Sequence, residues 1–134
     1  MKTIKTYIYL FGVLVLGTST LWAQRPANFS KMVTENIVRS LNHDVEGVVE
    51  ATIYNTLFLT KYYPDAKIER VLDELNNIAA NSENPVLKYK AQLAVLYLSN
   101  YKSDDINLEN YKGDQTKLFR EISEMLENNL LASN

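Results

Sequence analysis

The sequence predicts an all-α protein of about five helices, arranged as two to two-and-a-half stacked antiparallel helical hairpins. Apolar residues recur at three- and four-residue steps in five separate stretches, which is the spacing of one face of an α-helix. No stretch alternates apolar and polar residues between turn residues, so strands are not expected. Helices that are apolar on one side alternate with helices that are apolar nearly all round. This alternation favours layered packing with the all-round helices in the middle.

The amino terminus has the three parts of a secretory signal peptide. Lys2 and Lys5 precede an uncharged apolar run at residues 7–17, and small polar residues follow it. We expect residues 1–23 to be the signal peptide, and residues 24–134 to be a single exported helical domain, periplasmic or secreted. An uncleaved anchor is the alternative, since a membrane span needs roughly 20 mostly apolar residues. Polar residues dilute this stretch, which favours cleavage over an uncleaved anchor. After cleavage, stable membrane insertion is not expected.

The first two helices differ in how much of their surface is apolar. The first is predicted over residues 30–41 and has one apolar face. Its periodic residues are Phe29, Met32, Val33, Ile37 and Leu41. The second is predicted from a cap at Asp44 to about Tyr63, and Pro64 ends it because proline disfavours helix in the residue before it. Its apolar residues leave only a narrow polar sector, as expected of a buried helix.

The third and fourth helices repeat this contrast. The third is predicted from a cap at Asp65 to Asn81, with one apolar stripe opposite a charged face. The fourth runs from Pro85 to about Asn100 and is again apolar over most of its circumference. Asn84 is a good cap, and proline is favoured at the first helical position that follows.

Residues 101–113 are predicted to form a loop before the last helix. The segment is polar, with scattered apolar residues that we expect to pack on the core: Tyr101, Ile106, Leu108 and Tyr111. Loops of this length are often functional. The last helix is predicted over residues 114–131, where apolar residues again recur at helical spacing.

Composition excludes several classes of function. The chain has no cysteine, so disulfides, zinc-cysteine sites, thiol nucleophiles and a lipid anchor on cysteine are ruled out. Lys and Arg number 14 against 16 Asp and Glu, and loss of Lys2 and Lys5 with the signal peptide would leave a net charge of about −4. This acidic balance argues against nucleic acid or anionic lipid headgroups as partners, which would call for a clustered basic face.

A shift of 40 residues superimposes residues 44–51 (DVEGVVEA) on residues 84–91 (NPVLKYKA). The later unit carries a cap, a proline, basic residues and an alanine as Asn84, Pro85, Lys88, Lys90 and Ala91. The earlier unit keeps Asp44, Val45 and Ala51 and differs at Val48 and Glu50. This pattern resembles the start of the second helix in HEAT and armadillo-type α-helical hairpin repeats.

The mature chain as a whole also resembles a group of small exported bacterial proteins of uncharacterised function built on such hairpins. HEAT-like arrays are usually interaction scaffolds, and the resemblance implies that role without supplying catalytic residues. A compact bundle that shares only the local packing is the alternative, because two and a half hairpins fall short of the three or more units of a solenoid.

Candidate chemical groups are sparse. His43 is the single histidine, and no nucleophile and orienting acid accompany it at a recognisable spacing. Two carboxylate pairs lie one helical turn apart, Glu46 with Glu50 and Glu69 with Asp73. Metal sites in helical bundles usually add a Glu-x-x-His signature on two helices, which one histidine cannot supply. We therefore predict no enzyme activity, no cofactor and no metal.

The candidate interaction surface is aromatic. Tyr54, Phe58 and Tyr62 recur at four-residue steps along the second helix, and Tyr101 and Tyr111 lie in the loop that precedes the last helix. Tyrosine is enriched in interface hot spots, although it also suits the half-buried edges of a bundle. The first hypothesis is a non-enzymatic interaction module that binds another envelope or secreted protein. The second is a carrier of a small apolar ligand in a helical cavity.

Overall fold

A computed structural model describes residues 26–101 and 105–133 of the chain. These residues form six α-helices, one 3-10 helix and no strand, which confirms the prediction of an all-α protein. The α-helices are α1 (Phe29–Leu41), α2 (Glu46–Thr56), α3 (Leu59–Tyr62), α4 (Glu69–Asn81), α5 (Pro85–Asn100) and α6 (Gln115–Ala132), and the 3-10 helix is Leu108–Tyr111. The predicted signal peptide at residues 1–23 lies outside the described residues.

Two helical hairpins lie side by side. One hairpin is α1 with α2 and the other is α4 with α5; α1 also packs on α4, and α2 on α5. Near its start α2 is joined to α5 by a hydrogen bond from Asn84 Nδ2 to Glu46 Oε2 at 2.9 Å, and one turn later by the ion pair between Lys90 and Glu50. Equivalent ends of α2 and α5 therefore lie together. Because α6 packs on α5 as well, α2 and α5 occupy the middle of the packing.

The buried side chains form one hydrophobic cluster to which each of these elements contributes, the very short α3 through Leu59 alone. Its fully buried members include Ile53, Val71, Leu75, Ala91, Ala94, Leu108, Leu118 and Ile122. Residues 105–113, called here the connecting segment, contribute Ile106 and Leu108 to this cluster. Tyr101 and Tyr111 are partly buried and pack against the same cluster, so the expectation that the apolar residues within 101–113 pack on the core is confirmed.

One of the three predicted helix caps is correct. The Asn84 side chain accepts hydrogen bonds from the backbone N–H groups of Val86 and Leu87. The last helix also has a side-chain cap, because Asp114 accepts a hydrogen bond from the backbone N–H of Lys117. Asp44 was expected to cap the second helix, but the cap position is Val45, whose N–H donates to His43 Nδ1 at 3.0 Å. The predicted cap at Asp65 is also wrong.

The region around Asp65 forms a turn instead of a helix start. The backbone N–H of Ala66 donates to the Tyr63 carbonyl at 2.9 Å, and α4 begins only at Glu69. Proline at position 64 restrains the chain here, so the polypeptide turns before the periodic apolar stripe of α4 starts.

The second helix was expected to continue to Tyr63, but it is interrupted after Thr56. Thr52 and Thr56 each donate a side-chain hydrogen bond at 2.6 Å to a backbone carbonyl of their own helix, those of Val48 and Ile53 respectively. Such bonds compete with the helical pattern and bend helices. Leu57 and Phe58 then make the tighter i to i−3 backbone bonds of a 3-10 turn before α3 begins.

Candidate binding groove

A groove of about 450 Å³ opens at the outer edge of the first hairpin. One wall is α1, through Val33 and Ile37, and the opposite wall is the end of the connecting segment, Lys112 and Gly113. The floor comes from α2, α3 and the turn between them: Tyr54, Asn55, Phe58, Leu59, Tyr62 and Tyr63. The lining is therefore mostly apolar and aromatic.

The three aromatic residues that the sequence placed on one line remain in contact across the helix break. The ring centroids of Tyr54 and Phe58 lie 5.2 Å apart in an edge-to-face arrangement, and those of Phe58 and Tyr62 lie 6.1 Å apart and are stacked. Both arrangements are favourable for aromatic pairs. The rings therefore form a continuous floor even though Tyr54 and Tyr62 belong to different helices.

Their exposure differs from that of a fully exposed recognition stripe. Phe58 is only 8 % exposed and belongs to the core, Tyr54 is half-buried, and Tyr62 is 37 % exposed. The expectation of an exposed stripe is therefore wrong for Phe58, because the turn after Thr56 directs it inward between its two neighbours. Tyr62 is the most exposed of the three.

The Tyr54 hydroxyl fixes the wall formed by the connecting segment. It donates to the backbone carbonyl of Tyr111 at 2.9 Å and accepts from the backbone N–H of Gly113 at 2.9 Å. Gly113 has a φ of +80°, a conformation that is strained for residues with a side chain. This glycine lets the chain turn from the 3-10 helix into α6 while keeping both hydrogen bonds.

Glu109 is the second anchor of the connecting segment. Its Oε1 accepts from the Tyr62 hydroxyl and lies 3.0 Å from Lys61 Nζ, and its Oε2 lies 2.6 Å from Lys112 Nζ. Lys112, Tyr62 and Lys61, in that order of effect, lower the pKa of the Glu109 carboxyl to about 2. The same carboxylate raises the pKa of Lys112. At neutral pH both groups are therefore charged.

Cations also lie over the exposed tyrosine of the groove. Lys112 Nζ is 5.1 Å and Lys61 Nζ is 5.9 Å from the centroid of the Tyr62 ring. Both distances are within the range of cation–π attraction. Tyr62 is thus held in place through its hydroxyl and through its ring face, which makes it a rigid part of the groove.

The two loop tyrosines do not join the aromatic floor. Tyr101 stacks on Tyr97 with ring centroids 6.1 Å apart, and its hydroxyl accepts from Asn129 Nδ2 at 2.8 Å, so it lies against α6. Tyr111 offers its backbone carbonyl to Tyr54, while its own ring lies under Lys117 Nζ at 5.4 Å. The structure therefore brings Tyr54, Phe58 and Tyr62 together and leaves both loop side chains outside the groove.

Three residues that matter to the groove were not singled out in the sequence. Val33 and Ile37 belong to the apolar stripe of the first helix, and nothing in the stripe distinguishes its core-facing members from those at an open edge. Lys112 follows Tyr111 in a polar segment and carries no local signal. Its position near Tyr62 arises from a contact between residues about 50 positions apart in sequence.

Within residues 26–101 and 105–133, no group of three His, Cys, Asp or Glu side chains could hold a metal ion. The carboxylates of the first candidate pair have other partners: Glu46 accepts from Asn84, and Glu50 pairs with Lys90 of α5. His43 is exposed and accepts the hydrogen bond from Val45.

Comparison of the chain with protein-family models, with curated proteins and with solved structures finds no match. Within the described part of the chain, no helix combines the length and the hydropathy needed to cross a membrane.

Proposed function

We propose that this chain is a non-enzymatic, exported interaction module that binds another envelope or secreted protein through the groove. The observation that carries the proposal is the uncovered apolar lining at the edge of the first hairpin, where Val33, Ile37 and Tyr62 all remain partly exposed. Apolar side chains at the centre of a contact, surrounded by polar groups, are typical of protein interfaces.

Rigidity of the groove supports this proposal. Tyr54 and Tyr62 are hydrogen-bonded to the connecting segment at both ends of the aromatic floor. Pre-ordered side chains lose little conformational entropy on binding, so more of the contact energy appears as affinity. Tyrosine with an apolar ring and an engaged hydroxyl is also a frequent interface anchor.

Site-specific photocrosslinking tests the groove as the contact surface. A photoreactive residue at Asn55, an exposed groove position, should give one crosslinked protein product in the exporting host, whereas the same residue at the exposed Asn76 of α4 should not. Ile37→Asp should abolish the product because it places a charge in the apolar wall. Met32→Asp, on the same helix but outside the groove lining, should leave it unchanged.

The mutant proteins require a check on folding, because Ile37 also contacts the core. Circular dichroism on purified Ile37→Asp should show the wild-type helical signal. If it does not, Asn55→Trp offers a second variant that fills the groove from an exposed position. Identical crosslinked products from positions 55 and 76, or products that survive both groove variants, would exclude the groove as the interface.

A small apolar ligand is the second candidate occupant. The groove volume of about 450 Å³ lies within the roughly 300 to 1,000 Å³ of small-molecule sites. Native mass spectrometry of protein purified from its own envelope fraction tests this function. A bound organic molecule that is present in wild type and in Met32→Asp, but lost from Ile37→Asp, would favour the carrier. Wild-type protein free of any adduct would favour the interaction module.

A further inference from the structure

The charge at the mouth of the groove is opposite to that of the chain. The whole sequence has a formal net charge of −2, yet Lys112 carries the one formal charge among the described residues that line the groove. Lys61 lies beside it, and both lysines share the single carboxylate of Glu109. The cluster Lys61–Glu109–Lys112 therefore carries one uncompensated positive charge at the rim of an apolar surface.

Lys112 is able to bind a further anion. Its ammonium has three N–H donors and makes one ion pair, with Glu109 Oε2, while 56 % of its side chain is exposed. Both oxygens of Glu109 are already engaged by Tyr62, Lys61 and Lys112. An anion that arrives from outside therefore does not need to displace Glu109 to reach the ammonium.

We infer that the groove binds a partner segment that combines apolar side chains with an acidic side chain, and that the acidic carboxylate faces Lys112. This inference rests on the proposed function and specifies the partner of the same groove. Apolar side chains cover Val33, Ile37 and the Tyr62 ring, and the carboxylate neutralises the surplus charge of the cluster. Complementary charge of this kind selects among partners and sets their orientation more than it adds raw affinity.

Selection from a library of random 12-residue peptides displayed on phage tests the inference and does not require the natural partner to be identified first. The mature protein serves as the target, and clones that also bind Ile37→Asp are discarded. The remaining peptides should pair two or more Leu, Ile, Phe or Met residues with Asp or Glu. A basic residue in place of the acidic one should be rare among them.

Charge reversal provides the decisive measurement on one synthetic peptide from that selection. Lys112→Glu should weaken its binding by roughly tenfold, because the reversal removes an attraction worth up to about fivefold at an exposed site and adds a repulsion of similar size. A peptide with its acidic residue replaced by Lys should bind Lys112→Glu more tightly than it binds wild type. Lys88→Glu, the same charge change at an exposed lysine of α5 that does not line the groove, should leave the affinity within a factor of two.

The outcomes separate failure of the inference from failure of the proposed function. Peptides that require Ile37 but ignore the charge at position 112 would overturn the inference and leave the groove as an interface. Failure to select any peptide that depends on Ile37 would overturn both. Self-association of the wild-type protein that Ile37→Asp abolishes would identify a second copy of the chain as the occupant of the groove. Binding of dodecanoate instead of any peptide would identify a small amphiphile as the occupant. Either result would overturn the inference.

Because Lys112→Glu places two carboxylates side by side at the connecting segment, Lys112→Gln serves as a second variant. It removes the positive charge without adding repulsion. Under the inference, the affinity of Lys112→Gln for the acidic peptide lies between those of wild type and Lys112→Glu. Lys112→Gln also lacks the preference of Lys112→Glu for the Lys-containing peptide. Equal affinity of wild type and Lys112→Gln for the acidic peptide would overturn the inference.

Discussion

Helices α2 and α5 start alike and end differently. A shift of 40 residues aligns their first turns, and the two helices lie side by side, with Glu50 paired to Lys90 at the aligned positions. Beyond that point α5 continues without a break to Asn100, whereas α2 stops at Thr56. The residues aligned with Thr52 and Thr56 are Gln92 and Leu96, which lack a hydroxyl that competes for the helical carbonyls.

The break is what creates the groove. In α5 the position aligned with Tyr54 is Ala94, whose small side chain is fully buried in the core. In α2 the tyrosine reaches out to Tyr111 and Gly113, and the turn after Thr56 carries Tyr62 toward Glu109. Although α2 and α5 have the same apolar character, the aligned part of α5 packs into the core, whereas the end of α2 forms part of the floor of the groove.

The largest expected effect comes from the aligned pair Phe58 and Leu98, which are 8 % and 7 % exposed. Phe58→Ala should lower the free energy of unfolding by roughly 3 to 5 kcal/mol and Leu98→Ala by roughly 2 to 5 kcal/mol. The loss of stability at Phe58 should be at least as large as that at Leu98, because the Phe58 ring also contacts the Tyr54 and Tyr62 rings. Urea denaturation followed by circular dichroism measures both. A loss below about 1 kcal/mol at Phe58 would mean that it is not part of the core.

A second contrast concerns the two alanines that the shift aligns. Ala91 is fully buried and Ala51 only half-buried. Ala91→Leu should overpack the interior and cost roughly 1 to 3 kcal/mol, whereas Ala51→Leu should cost less because part of the new side chain can remain in solvent. Thermal unfolding of both variants tests the order. Equal and small losses would show that the alignment of the two helices carries no packing constraint.

Features of this fold that have a local cause can be predicted from the sequence, and features that depend on distant contacts cannot. The start of α5 was predictable because Asn84 and Pro85 act on the backbone next to them. The apolar stripe of α4 was predictable because the spacing of its residues is a local feature. The first residue of α4 was not, since Asp65 lies in a turn set by Pro64 and Tyr63. Neighbouring sequence alone therefore predicts elements better than it predicts their ends.

The groove required contacts that sequence spacing does not reveal. The aromatic residues of α2 and α3 could be picked out by their four-residue steps, but their exposure depends on a break caused by threonine hydroxyls. Tyr62 meets Glu109, and Tyr54 meets Gly113, only after the chain has folded back over two helices. Tyr101 was predicted in the same loop as Gly113, yet its hydroxyl accepts from Asn129 of α6 and its ring lies outside the groove. Closeness in sequence to a groove residue therefore does not place a side chain in the groove.

A third prediction compares the two helix starts. Asn84→Ala should lower stability by about 1 kcal/mol, because the Asn84 side chain accepts from two backbone N–H groups of α5. It also donates to Glu46 of α2, so the loss includes a link between the hairpins. Asp44→Ala should stay within roughly 0.5 kcal/mol, the usual range for a surface residue without such a role. An equal loss at both positions, measured by urea denaturation, would contradict the assignment of Val45 as the cap of α2.

The smallest effect concerns the connecting segment and depends on pH. The pKa of Glu109 is lowered from an ordinary 4.5 to about 2 by its contacts with Lys112, Tyr62 and Lys61. A carboxyl whose pKa falls on folding stabilises the folded protein above its unfolded pKa, and that contribution is lost as the pH falls through the folded pKa. Its contribution should therefore be complete above about pH 4.5 and absent near pH 2.

Glu109→Gln isolates this contribution, because glutamine keeps the shape of the side chain without its charge. The melting temperature of wild type should exceed that of Glu109→Gln above about pH 4.5, and the difference should shrink to nothing as the pH approaches 2. Glu83→Gln, at an exposed acidic residue outside the segment, should show no such convergence. Hydrogen exchange at the Gly113 amide, which is bonded to Tyr54, should accelerate in Glu109→Gln relative to wild type at neutral pH. If that amide stays equally protected in both proteins, Tyr54 alone holds the wall, and the groove keeps its shape without the ionic cluster that we expect to select an acidic partner.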